Sequence, residues 1–341
     1  MRDAAGSAVG GRAADGRSVP TPLEAGYEAL RRGTGAVHLD RDVLVVRGPD
    51  ALEYLQGQCS QDLAALAPGG LVDALLLAPD GKLVALVRVQ RLADDEFVID
   101  VAGGFGETVR ARLQRFKLRS RLDLEPLDWS CVALRGEGVA GALGPVPGAD
   151  GADRSVTERG GTRVLPVAWN GTFGVDLLGP DPSGDVPGSA LWCGQEAWEA
   201  LRVEAGIPEM GHELDERTIA AEAFLLERTV SFTKGCYTGQ ELVARLDARG
   251  NRVARRLGGV VIDPTCEVEP GALVGASLFA GGSDKPVGRC TSAARCPGID
   301  AVAALGYLHR SVEVPGPVTV VPEAGDGPVP VMGQARSLPL R

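Results

Sequence analysis

Residues 233–245 read TKGCYTGQELVAR. Thr238 and Glu241 have the spacing of a helix capping box, so a helix is expected to begin just after Thr238. Cys236 then lies beside the positive end of that helix, and Lys234 adds a cation two residues earlier. Both features stabilise a thiolate, so the stretch predicts a reactive thiol at Cys236; a small packed cysteine is the alternative interpretation.

The composition is that of an ordinary globular protein. The chain has 341 residues, 44% of them hydrophobic and 23% charged, and this length favours two domains over one. Its formal net charge of −10 argues against a surface that coats nucleic acid. With three histidines and seven cysteines, and without a CxxC pair, the sequence predicts no metal site.

The sequence shows no pattern of a targeting or membrane segment. The first residues lack the apolar region of a secretory signal, and no run approaches the roughly 18 apolar residues of a transmembrane helix. An odd number of widely spaced cysteines does not resemble a disulfide framework. We therefore expect a reduced, cytoplasmic protein that binds no membrane, with residues 1–22 as a flexible tail.

Strand and helix patterns alternate along residues 23–255 without repeated βαβ units, which predicts an α+β domain. Residues 136–162 are rich in glycine, proline and alanine, and we expect them to form a surface connection within this domain. From residue 256 to residue 341, short strands alternate with glycine and proline turns. This pattern predicts a small C-terminal β-barrel.

The eight residues KGCYTGQE, at 234–241, resemble the signature of the YgfZ family. These proteins are folate-binding relatives of the glycine-cleavage T-protein (aminomethyltransferase) and support the maturation of iron–sulfur proteins. The blocks at 46–62, 201–208, 287–292 and 304–307 resemble further segments that both families share. The resemblance implies a T-protein-like fold, in which ferredoxin-like α/β subdomains surround a central cavity and a β-barrel follows.

The resemblance also implies a ligand, tetrahydrofolate or a one-carbon derivative of it. The pterin-binding glutamate of the T-protein corresponds to Glu204, whose carboxylate suits the 2-amino and N3–H donors of a pterin. A solvated charge at the end of a helix is the alternative interpretation of Glu204. The other side chains that we expect to contact folate are Arg202, Tyr237, Gln240, Glu241 and Arg245.

The hairpin region departs from the T-protein pattern. The apolar segment 71–89 contains an Asp80-Gly81 turn and predicts a β-hairpin. In the T-protein this hairpin carries an Asp-Asp pair that supplies the catalytic carboxylate. Ala85 and Leu86 stand at those positions here, and neither side chain can move a proton. The sequence therefore predicts no aminomethyl transfer.

Three functions remain open. The favoured one is a tetrahydrofolate-binding accessory protein for iron–sulfur cluster assembly or repair, in which Lys234 holds Cys236 as the reactive thiolate next to the folate. Its partners would be iron–sulfur proteins or their assembly factors, with a link to tRNA modification but no direct contact with nucleic acid. The alternatives are a folate-dependent aminomethyltransferase of the T-protein type and a thiol redox or interaction scaffold without folate.

Overall fold

The computed structural model describes residues 20–144, 154–280, 282–323 and 329–341. Most of the predicted flexible tail, residues 1–22, lies outside the described residues, and so does the middle of the predicted connection at 136–162. In the described part of the chain, no helix is long and apolar enough to cross a membrane.

The described residues form eight α-helices, seventeen strands and three short 3-10 turns. The helices are α1 (Pro22–Arg31), α2 (Ala51–Gln58), α3 (Gly106–Phe116), α4 (Val139–Leu143), α5 (Gln195–Ala205), α6 (Leu226–Thr229), α7 (Gln240–Asp247) and α8 (Pro270–Leu273). The strands are β1 (Gly35–Leu39), β2 (Arg41–Arg47), β3 (Leu71–Leu77), β4 (Leu83–Ala93), β5 (Glu96–Ala102), β6 (Asp123–Leu127), β7 (Ser130–Arg135), β8 (Thr157–Arg159), β9 (Thr162–Trp169), β10 (Thr172–Gly179), β11 (Leu191–Trp192), β12 (Arg255–Ile262), β13 (Ser277–Phe279), β14 (Gly288–Cys296), β15 (Ala301–His309), β16 (Gly316–Val321) and β17 (Val331–Arg336). The 3-10 turns are Pro182–Asp185, Ala220–Ala223 and Pro297–Ile299.

Five strands form the first sheet, in the order β3-β4-β5-β2-β6, and all neighbours are antiparallel. Gly81, with a φ of +83°, lies in the turn of the β3–β4 hairpin, as the sequence predicted. Along β4 the side chains alternate between the two faces of the sheet. Leu83 and Ala85 pack into a core with α2 and α3, whereas Leu86 and Arg88 project towards a central cavity.

Six strands form the second sheet, in the order β11-β1-β7-β10-β9-β8. The chain passes between the sheets early, because β1 belongs to the second sheet and β2 to the first. An apolar layer joins the two sheets, with Val43 and Val98 from the first and Cys131 and Leu165 from the second. The two sheets therefore form one interwoven body around the cavity.

The C-terminal region forms a closed six-stranded barrel in the order β12-β15-β14-β13-β16-β17. Helix α5 covers one side of this barrel, and Leu201 packs there with Ala294 and Leu305. The predicted α+β body with a small C-terminal barrel is thereby confirmed. Helix α5 also shares an apolar cluster with Val37 and Ala133 of the second sheet, and its Trp198, Glu199 and Arg202 side chains form one wall of the cavity.

Candidate functional site

The KGCYTGQE loop lies on the surface, beside α2 and the β3–β4 hairpin. Cys236 is exposed on this loop. Helix α7 begins at Gln240, and Gly239 precedes it with a φ of +83°. A side chain at position 239 would meet the carbonyl oxygen of Ala78 at 2.5 Å, so the chain enters the helix through a left-handed glycine. In the described loop the predicted T-x-x-E capping box is not formed.

The ammonium group of Lys234 binds the main chain at the C-terminal end of α2. Its Nζ donates to the carbonyl oxygens of Gln56 at 2.7 Å, Cys59 at 2.8 Å and Gln61 at 2.8 Å. These three bonds use the full donor capacity of an ammonium group. Carbonyls at the end of a helix lack intrahelical partners and favour a cation. Lys234 therefore anchors the loop to α2, in place of its predicted role as the partner of the thiolate.

Of the other side chains of the KGCYTGQE loop and α7, some are buried in the core and others are exposed to solvent. Tyr237 is buried, its ring lies 5.3 Å from the Nζ atom of Lys234, and burial raises the pKa of Tyr237 to about 12. The Oε1 atom of Gln240 accepts the N–H of Tyr237 at 3.1 Å. Glu241 and Arg245 are exposed on α7. None of these side chains is among the described residues that line the cavity, so the structure does not bring this group of predicted folate contacts together with the cavity.

The central cavity lies between the two sheets and α5 and has a volume of about 400 Å³. Its described lining is rich in charged and aromatic side chains. The charged ones are Asp40, Arg41, Asp73, Arg88, Arg135, Arg154, Asp176, Glu199, Arg202, Glu209 and Arg228, and the ring-bearing ones are His38, Trp169, Trp198 and His212. Three of the six arginines, Arg41, Arg88 and Arg135, come from strands of the two sheets, whereas the glutamates come from α5 and the segment after it. The cavity therefore has two walls of different charge.

The sheet wall contains carboxylates that each bridge two arginines. Asp176 of β10 accepts a bond from Arg135 at 2.7 Å and also pairs with Arg88. Asp100 of β5 pairs with Arg88 at 2.7 Å and with Arg41. Although burial alone would raise the pKa of Asp176, the guanidinium groups of Arg135 and Arg88 hold it well below its usual range. Asp176 is therefore ionised and held between two guanidinium groups.

A second bridge lies on the neighbouring strand β3. Asp73 pairs with Arg154 at 2.6 Å and with Arg228 at 2.5 Å. Burial alone would raise the pKa of Asp73, but the two arginines lower it. The guanidinium of Arg228 also stacks on Trp169, 4.2 Å from the centre of the ring. No motif of the sequence marks Arg154, Arg228 or Trp169, but the isolated charge within the apolar strand LVDALLL at 71–77 is a signal for Asp73.

The opposite wall is organised by Arg202 of α5. Its side chain is only 1% exposed and donates to Glu199 at 2.7 Å, to Glu213 at 2.8 Å and to the hydroxyl of Ser292 in the barrel at 2.7 Å. Arg202 lines the cavity as a predicted ligand contact should, but protein groups already engage its donors. Burial raises the pKa of the nearby Glu209, although Arg202 opposes the shift. Glu209 is the less fully paired carboxylate on this wall.

Glu204 lies on a different face of α5 from the cavity. It is fully buried, and the hydroxyl of Tyr27 lies 2.7 Å from both of its carboxylate oxygens. Arg31 and Arg341 add weaker ion pairs at 3.8 Å and 4.0 Å. The prediction that Glu204 contacts the pterin therefore needs correction, because this residue is enclosed by protein. Helix α5 presents Glu199 to the cavity instead.

The hairpin wall lacks the acid pair of the T-protein. Leu86 lines the cavity, and Ala85 is buried in the core of the first sheet. Asp73 lies on the adjacent strand, where it is held between two arginines and is a weak base. Within the described residues, no group of three or more histidines, cysteines or acids could hold a metal ion.

Comparison with known proteins finds relatives in sequence and in fold. No family model matches the chain. It is 30% identical over 223 residues to the tRNA-modifying protein YgfZ of Edwardsiella ictaluri, covering 60% of this chain and 64% of that protein. It is 27% identical over 210 residues to an uncharacterized protein of Haemophilus influenzae, covering 61% of this chain and 66% of that protein. The chain thus spans just under two thirds of the length of these relatives.

The aminomethyltransferases are similar over a longer region. The chain is 27% identical over 311 residues to that of Thermus thermophilus, covering 86% of this chain and 84% of the relative. The crystal structure of the glycine cleavage system aminomethyltransferase T from Bartonella henselae matches with a TM-score of 0.79 at 21% identity, covering 96% of this chain and 93% of that one. The two sheets and the barrel therefore define an aminomethyltransferase-like fold. Within this class, the chain is similar in sequence to proteins named YgfZ, and its fold is that of the glycine-cleavage T-protein.

Proposed function

We propose that this protein binds tetrahydrofolate, or a one-carbon derivative of it, in the central cavity. The observation that carries the proposal is the two-sided charge of the cavity, with Glu199 and Glu209 on one wall and arginines on the other. Carboxylates suit the 2-amino and N3–H donors of a reduced pterin. A volume of about 400 Å³ is within the range of small-molecule sites. The aminomethyltransferase-like fold supports the same assignment.

The exposed thiol supports the second part of the proposal, an accessory role for iron–sulfur proteins or their assembly factors in the cytoplasm. Cys236 lies on a loop that Lys234 anchors, so a partner protein can reach the thiol without any opening of the cavity. Relatives named tRNA-modifying proteins support a link to tRNA modification. We assign this link to client proteins, because a net charge of −10 opposes direct binding of nucleic acid.

The two alternative functions explain fewer of the observations. Aminomethyl transfer of the T-protein type needs a carboxylate where Leu86 faces the cavity. A thiol scaffold without folate gives no reason for a cavity with charged walls. We therefore favour a folate-binding accessory protein over both.

Calorimetric titration of the purified protein with 5-formyltetrahydrofolate tests the folate assignment. We expect saturable binding that Glu209→Gln weakens by roughly 10- to 100-fold, because a hydrogen bond to a charged group contributes about 1.5–3 kcal/mol. Cys236→Ser, a control outside the cavity, should bind as tightly as the wild type. If the wild type gives no heat at millimolar ligand, the folate assignment fails.

A further inference from the structure

The arginine wall of the cavity, defined as Arg41, Arg88, Arg135, Arg154 and Arg228, carries more positive charge than its partners neutralise. Its carboxylate partners among the described residues are Asp73, Asp100 and Asp176. Five positive charges against three negative charges leave an excess of two. The exposed fraction of the five side chains ranges from 3% to 24%, so water screens this excess only in part.

A partly buried excess of charge costs free energy unless a counter-ion neutralises it. The other described acids of the cavity do not fill this role. Glu199 and Glu209 pair with Arg202 on the opposite wall, and Asp40 is exposed to solvent. Burial and the nearby Arg154 and Arg88 lower the pKa of Arg228, although Asp73 opposes the shift. The wall therefore favours an anion on its cavity side.

Two tryptophans hold arginines of the wall in position. The guanidinium of Arg228 lies 4.2 Å from the ring centre of Trp169, and that of Arg135 lies 5.4 Å from the ring centre of Trp198. Stacking orients a guanidinium without using its N–H donors. The Nε atom of Arg135 is buried and has no hydrogen-bond partner within the described residues. The wall thus combines excess charge with at least one unused donor.

We propose that the arginine wall is a subsite for a dianion with two carboxylates, which is the chemistry of the glutamate end of a folate. Guanidinium groups match carboxylates in both charge and planar geometry. The assignment rests on the proposed function and adds an orientation to it. The glutamate end lies at the sheet wall, and the pterin end lies at the α5 wall with Glu199 and Glu209. Inorganic phosphate shares the dianionic charge and is the competing source of such a ligand.

The test uses variants that remove one cation and leave every wall carboxylate paired. In Arg88→Met, Asp100 keeps Arg41 and Asp176 keeps Arg135. Arg228→Met leaves Asp73 with Arg154 and changes the most exposed member of the wall, so it provides a second variant if Arg88→Met does not fold. Arg249→Met, on the exposed segment after α7, is the matched control.

Four ligands are titrated by calorimetry against each protein: 5-formyltetrahydrofolate, p-aminobenzoyl-L-glutamate, 6-methyltetrahydropterin and inorganic phosphate. We expect each wall variant to weaken the two glutamate-bearing ligands by about tenfold or more, while 6-methyltetrahydropterin binds all proteins alike. Arg249→Met should match the wild type with every ligand.

The outcomes separate this inference from the proposed function. If both glutamate-bearing ligands bind folded wall variants as tightly as the wild type, the inference is overturned and folate binding stands. If phosphate binds the wild type more tightly than p-aminobenzoyl-L-glutamate does, the assignment to a glutamate end is overturned. If p-aminobenzoyl-L-glutamate binds through the wall but 5-formyltetrahydrofolate does not bind, the inference stands and the folate function fails.

Discussion

Cys236→Ser is expected to abolish activity in a cell while leaving folate affinity unchanged. The thiol is exposed on the signature loop, and no side chain of that loop is among the described residues lining the cavity. Loss of the thiol should therefore remove the reaction with a partner without disturbing the ligand site. The measurement is growth complementation of a strain that lacks its own member of the family, scored against an empty vector.

Cys266→Ser provides the matched control for this experiment, because Cys266 is a half-buried free cysteine of the barrel region. It should complement as well as the wild type. Full complementation by Cys236→Ser would show that the exposed thiol is dispensable, and the role proposed for the signature loop would then have to be abandoned.

Arg202→Met is expected to lower the free energy of unfolding by about 3–5 kcal/mol, the usual cost of leaving a buried charge without its partner. Glu213 is buried and would keep only uncharged partners, the hydroxyls of Thr291 and Ser292 and the N–H of Glu209. The substitution also removes the bond from Arg202 to the carbonyl oxygen of Ile207, which joins α5 to the next segment of the cavity wall. Urea unfolding measures the loss.

Arg245→Met makes the same chemical change on the exposed face of α7 and should leave the urea midpoint unaltered. A midpoint for Arg202→Met equal to that of this control would mean that the buried cluster around Arg202 contributes nothing to stability. The claim that Arg202 organises the α5 wall of the cavity would then fail.

Local sequence patterns predicted the fold, but they did not predict which face of a helix meets the cavity. Glu199 and Glu204 both lie on α5, and five residues of helix separate them by about 140°. Sequence periodicity shows that the two carboxylates face different directions, but it does not show which of them meets the cavity. That choice depends on α1 and the barrel, which enclose Glu204 with Tyr27.

The sequence does not predict the structural role of Lys234, because the carbonyl groups that it binds are remote in sequence. Its three carbonyl acceptors lie more than 170 residues earlier in the chain, at the end of α2. Rarity and proximity to Cys236 favoured a role in thiol chemistry, while the fold uses the ammonium group to satisfy a helix end. Part of the arginine wall, in contrast, has a signal in the sequence, because Arg88 and the partner carboxylates Asp73 and Asp176 are charges within apolar strands.

Hydrogen–deuterium exchange with and without 5-formyltetrahydrofolate tests the central claim, that the folate site and the signature loop are separate. The ligand should slow exchange in the cavity segments at 86–88, 195–202 and 207–212 and leave 231–240 unchanged. Protection of residues 231–240 without protection of the cavity segments would contradict the claim. It would indicate that folate binds at the signature loop, next to Cys236.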